Sequence, residues 1–175
     1  MVATLAYVAA RWSDVVDGVV VEHRLEWVPG LDVAADARLD GFALLMVLLV
    51  AGMGVLVMAY STSYFSPGPA SRRTAGLLVL FAGSMLGVVL ADNLAWLYVC
   101  WELTSITSFL LIGADLASPT KRTAALQALL VTGAGGLAML GGLILLGQAA
   151  GTWSLSEILA DPPTGGTVPA ALVLV

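Results

Sequence analysis

"GFALLMVLLVAGMGVLVMAYSTSY", from Gly41 to Tyr64, contains no charged residue. A helix needs about 20 apolar residues to cross a hydrocarbon core of ~30 Å, and this run is long enough. It reads as a transmembrane helix. Three more runs follow: 76–91, 94–114 and 124–150. The first of these is short and spans only with help from its flanks. Between the runs lie a loop at 65–75 with Arg72 and Arg73, a tight turn at Asp92-Asn93, and a loop at 115–123 with Lys121 and Arg122.

Composition agrees with this pattern. The chain has 175 residues, is 59% hydrophobic and 11% charged, and has a mean hydropathy of +0.97. Soluble domains carry about a quarter charged residues, so a polytopic membrane protein is expected. The net charge of −5 comes mostly from Asp14, Asp17, Glu22, Glu26, Asp32, Asp36 and Asp40, read as a solvated loop rather than a docking patch. Lone Cys100 permits no disulfide within the chain, and packing is its expected role. No glycine-rich nucleotide motif, nucleophile motif or zinc-ligand spacing occurs, so no catalytic residue, cofactor, metal or nucleic-acid partner is expected.

Around the four spans, residues 1–20 read as the end of a truncated helix plus a linker, without the basic flank of a signal peptide. Residues 21–40 read as a loop with a short hairpin or an irregular path. Val33, Ala35, Ala37 and Leu39 alternate with polar residues after Pro29-Gly30. Residues 151–167 form a longer loop in which "SLSEIL" suits one interfacial helical turn, with Trp153 at headgroup level. Residues 168–175 open another span. The fold class expected is all-α and polytopic, with about four full spans, partial helices at both ends and an extracytoplasmic β-hairpin. Arg72, Arg73, Lys121 and Arg122 mark the cytoplasmic loops, which puts residues 11–40, Asp92 and 151–167 outside. Small residues at Gly83 and Gly87, and at Ala134, Ala138 and Gly142, suit close helix approach. Gly133, Gly135, Gly136 and Gly141 add to that in the last full span, and Gly135-Gly136 also permits a local distortion.

Glu102 stands near the middle of the 94–114 span. A charged acid at that depth costs about 2.5–3.5 kcal/mol on insertion scales. Burial can keep it neutral, a basic partner can pair with it, or water-filled space can solvate it. At about 100° per residue, Tyr98, Ser105, Ile106 and Phe109 share its face, with Ser108 further round. Tyr98, Glu102, Ser105 and Ser108 thus make a weakly polar stripe suited to a proton site. Thr104 and Thr107 point elsewhere and can bond back to their own helix. Glu102 either serves proton or cation movement, the default for an intramembrane acid, or only ties two helices together. No basic residue of this chain lies at matching depth.

Three stretches carry a resemblance: "RLDGFALLMVLLVAGMGVLVMAYSTSYF", "GSMLGVVLADNLAWLYVCWELTSITSFLLIG" and "KRTAALQALLVTGAGGLAMLGGLILLG". They resemble the antiporter-like subunits shared by Mrp-type multisubunit sodium/proton antiporters and respiratory complex I. "WELTSITSFLLIG" looks most like the large A subunit of Mrp. The resemblance implies a piece of a longer protein, running from within the family's second helix to the start of its seventh. It implies that Glu102 is the family's fifth-helix acid, whose lysine partner on the seventh helix falls beyond Val175. Also implied are a bacterial plasma-membrane location, other subunits of a complex as partners, and exchange of protons for a monovalent cation such as sodium. Two alternatives remain open: a proton-pumping membrane subunit of complex I, an NADH-quinone oxidoreductase, and a transport-inactive structural fragment.

Overall fold

The computed structural model describes residues 1–28, 33–64, 68–113 and 119–175. In chain order the elements are α1 (Val2–Ala10), α2 (Trp12–Val16), β1 (Val21–Val28), β2 (Val33–Leu39), α3 (Gly41–Tyr64), α4 (Pro69–Leu90), α5 (Leu94–Ile112), α6 (Pro119–Ala150), α7 (Leu155–Ala160) and α8 (Val168–Leu174). Helices α3 to α6 are long and apolar enough to cross a membrane. They pack in chain order, and α8 folds back onto α6. The fold is therefore the helical membrane architecture expected, with one small antiparallel sheet.

Local chemistry starts the helices. Asp40 Oδ1 accepts from Ala43 N at 2.9 Å and caps α3. Asn93 Oδ1 accepts from Ala95 N at 3.0 Å and Trp96 N at 3.2 Å and caps α5. Each satisfies backbone donors that the first helical turn leaves orphaned. Two helices begin ahead of their apolar runs: α4 at Pro69 and α6 at Pro119, inside stretches read as loops. Proline suits a first helical turn, since its missing N–H is not needed there. Arg72, Arg73, Lys121 and Arg122 consequently lie near helix N-termini, where the helix dipole disfavours cations. Helix stability therefore does not account for their place.

β1 and β2 pair antiparallel, from Val21 opposite Leu39 to Val28 opposite Val33, with a register shift between Glu26 and Val28. The Pro29-Gly30 turn lies outside the described residues. Gly18, at φ 86°, turns the chain from α2 into β1 in a conformation that side chains disfavour. Leu39 is buried as the alternation predicts. Ala34, of the opposite parity, is buried too, so strict alternation fails beside the register shift. Arg38 and Glu22, cross-strand partners, form an ion pair at 3.0 Å.

Among the described residues, two apolar clusters hold the hairpin end of the bundle. Val8, Val15, Leu39, Ala43, Leu44 and Val47 join α1, α2, β2 and α3. Leu94, Met139, Leu143 and Ile158 join α5, α6 and α7, with Trp153 against them. Trp153, expected at headgroup level, also packs its ring on Gly147, where a Cβ would stand 3.5 Å away. Away from these clusters large side chains face outward, with Leu130 73% and Val131 70% exposed. Lipid, not a protein core, suits such faces.

Asp92 fastens the loops at this end together through its carboxylate and its backbone. Asp92 accepts at Oδ1 from Ser156 N (2.9 Å) and at Oδ2 from Ser156 Oγ (2.6 Å) and Ser154 Oγ (3.3 Å). Its own backbone donates to Asp36 O at 3.0 Å and accepts from Leu155 N at 2.7 Å. Leu94 N donates to Trp153 O at 2.9 Å. Hairpin, α4–α5 turn and α6–α7 loop therefore meet at one end of the bundle.

Candidate functional site

Helix α5 presents its two most chemically distinct side chains to different neighbours. Cys100 and Glu102 are two residues apart, about 200° round the helix. Cys100 is buried and faces α4, where a Cβ added to Gly87 would stand 2.5 Å from Sγ. Glu102 faces α6, where a Cβ added to Gly136 would collide with Oε1 and reach Cδ at 3.3 Å. Each side chain thus fills a space that a glycine leaves open, the close approach that small residues allow in lipid. The rest of the small-residue pattern does not work this way. Gly83, Gly133, Gly135 and Gly141 have no such neighbour within 4 Å. Gly142 is the other close contact, lying 2.8 Å by the same measure from Ala171 O on α8. Gly135-Gly136 causes no break, since α6 is continuous from Pro119 to Ala150.

Glu102 itself is half-buried. Its Oε1 is fully buried and has no hydrogen-bond partner among the described residues. A buried polar oxygen without a partner costs about 1–3 kcal/mol, and more if charged. A cavity of about 690 Å³ opens between α4, α5, α6 and α8, reaching Gly136 but not Glu102 itself. Its lining is mostly apolar, with Thr104, Ser105, Ser108 and Thr132 as the hydroxyl-bearing residues.

The expected polar stripe is divided by this arrangement. Ser105 and Ser108 border the cavity, whereas Tyr98 packs towards the outer cluster around Leu94 and Met139. Thr107 bonds back to Leu103 O at 2.7 Å and Thr104 to Trp101 O at 2.7 Å. Thr104 departs from the expected face: its side chain borders the cavity, because the cavity extends to the Trp101 side of α5. Thr132 gives no signal in the sequence, and Gly136 is marked only as one of several glycines suited to close approach, since which residue of α6 faces Glu102 depends on how the two helices are offset.

A family model described as "NADH:quinone oxidoreductase/Mrp antiporter, TM" matches residues 91–169, which hold Glu102, Gly136 and most of the cavity. A second, "NADH-Ubiquinone oxidoreductase (complex I), chain 5 N-terminus", matches residues 27–73. Together they cover more than half of the chain. The chain belongs to the antiporter-like membrane subunits. It is similar to the A/B subunit of a probable K(+)/H(+) antiporter from Rhizobium meliloti, at 45% identity over 173 residues, covering 95% of this chain and 17% of that protein. It is also similar to the A subunit of the Na(+)/H(+) antiporter from Alkalihalophilus pseudofirmus, at 45% identity over 145 residues, covering 82% of this chain and 18% of that one. Among solved structures, the Mrp complex from Dietzia sp. matches with a TM-score of 0.86 at 38% identity, over 98% of this chain and 19% of that one. Respiratory complex I from Thermus thermophilus matches with a TM-score of 0.74 at 25% identity, over 87% and 32%. The antiporter-like chain thus spans about a fifth of the length of the curated relatives it matches. Its kinship and its apolar helices make it a multi-pass plasma-membrane protein.

Proposed function

We propose that this chain is part of a monovalent cation/proton antiporter, within the A subunit of a multisubunit complex, and that Glu102 is its intramembrane proton-coupling group. The observation that carries the reading is the buried Oε1 of Glu102, without a hydrogen-bond partner among the described residues, where α5 crosses Gly136 of α6. A purely structural acid tying two helices would have its bonding capacity met. Here Glu102 meets α6 at a glycine, which offers it no side-chain donor. Leu174 and Val175 at the α8 end line the cavity that reaches Gly136. In this reading a helix that follows α8 brings a counter-charge to Glu102.

In this reading the counter-charge is a lysine outside the chain. A nearby ionised Glu102 favours the lysine's protonated form, and separation of the two releases the proton. The cation is sodium or potassium, as the names of the two relatives divide. Identity of 38% to the Mrp structure against 25% to complex I favours the antiporter over a redox-driven pump. Partner subunits follow from the same kinship.

Glu102→Gln, made in the full-length subunit that carries this sequence, should abolish cation-dependent proton exchange in everted membrane vesicles while the complex still assembles. Exchange at the unmodified level would sink the proposal.

A further inference from the structure

Glycine is costly in a helix, by about 1 kcal/mol relative to alanine, and α6 contains Gly133, Gly135, Gly136, Gly141, Gly142 and Gly147. At Gly133, Gly135 and Gly141 an added Cβ would meet nothing within 4 Å. Gly136 is different. A Cβ there would collide with Glu102 Oε1, come within 3.3 Å of Cδ and lie 3.9 Å from Oε2. The whole carboxyl group therefore rests over the Gly136 Cα, with Oε1 sealed from solvent by the contact. The place of the carboxyl group between α5 and α6 is set by the side chain that Gly136 lacks.

We infer that Gly136 is the positioning residue for Glu102: by leaving room over the α6 backbone, it fixes where the acid presents itself to its counter-charge. This rests on the functional reading of Glu102 above. Any side chain at 136 drives the carboxyl group off the α6 backbone, and Glu102 has a free methylene chain with which to swing away. The acid stays in the protein but leaves its working position. A shift of about 1 Å in a reacting group can cost on the order of 100-fold in rate.

The test uses the full-length subunit, assembled in its complex and assayed in everted vesicles. Gly136→Ala should lower exchange about tenfold or more. Gly133→Ala and Gly141→Ala, which fill open space on the same helix, should leave exchange within about twofold of the parent. The deciding variant combines Gly136→Ala with Glu102→Asp. Aspartate withdraws the carboxylate by one methylene and relieves the collision, so the double variant should regain the thermal stability that Gly136→Ala loses, while its displaced acid leaves exchange low. A general weakening of α6 would not be relieved by shortening an acid on α5.

The outcomes separate the two claims. If Glu102→Gln leaves exchange intact, the functional reading falls and this inference with it. If Glu102→Gln abolishes exchange but Gly136→Ala does not reduce it, only the positioning inference is overturned. That inference is overturned likewise if Gly133→Ala and Gly141→Ala are as damaging as Gly136→Ala, or if the double variant is no more stable to heat than Gly136→Ala. Should Gly136→Ala fail to accumulate, its amount in the Glu102→Asp background decides. Recovery there supports the inference, and failure in both backgrounds overturns it.

Discussion

Glu102 is readable because a charged letter stands out in an apolar run, and the cost of burying it makes chance retention a poor explanation. Its glycine is not readable. α6 offers several glycines at helical spacing, and only the offset between two helices decides which one meets the acid. The same holds at Gly87 and Cys100. The sequence marks both as small, but not that they touch. A methyl group at Gly87 has nowhere to go against Sγ and the Cys100 Cβ at 3.3 Å. Gly87→Ala should therefore destabilise the α4–α5 pair by about 1–3 kcal/mol, the usual range for overpacking. Adding Cys100→Ala should return most of that loss. Thermal unfolding in detergent measures both, and a double variant no more stable than Gly87→Ala would refute the contact.

At the level of elements, hydropathy locates the four spanning helices but not their true starts. α4 and α6 begin at prolines among polar residues, where backbone capping geometry outweighs hydropathy as the signal. Asp92 shows a deeper limit. Beside Asn93 it reads as a turn former, and Asn93 does cap α5. The carboxylate of Asp92 instead binds Ser154 and Ser156, 62 and 64 residues further on. No local pattern reports a partner at that distance. Asp92→Ala removes three accepted hydrogen bonds to a carboxylate, at about 1.5–3 kcal/mol for a charge-assisted bond. α7 should then exchange its amide hydrogens faster, while the hairpin, held by the Asp92 backbone N–H, and the middles of α3 to α6 keep their protection. Unchanged protection in α7 would count against the clasp.

For the whole molecule, the charge pattern predicts a sidedness as well as a fold. Residues 11–40, Asp92 and 151–167 belong to one face because the other loops carry Arg72, Arg73, Lys121 and Arg122. The hydrogen bonds of Asp92 join those three segments at one end, which geometry requires of loops sharing a face. Which face is external is a separate matter, and labelling addresses it. A cysteine at Ser13 or Thr164, both exposed, should react with an impermeant maleimide added to intact cells. One at Arg122 should react only in everted vesicles, and buried Cys100 should stay silent in both. The opposite pattern would reverse the orientation.

The bonds around Asp92 also have a mechanical meaning. Leu94 N to Trp153 O, and Leu155 N to Asp92 O, bolt the Leu94 end of α5 to the short segment that follows α6. A bolted end is a pivot, and any tilt between two rods grows with distance from it. Glu102 stands about two turns in from Leu94, a lever arm of about 12 Å at 1.5 Å per residue. A rocking of about ten degrees moves it by about 2 Å relative to α6, given that arm. That is enough to make or break one hydrogen bond, and the outer seal need not open at all.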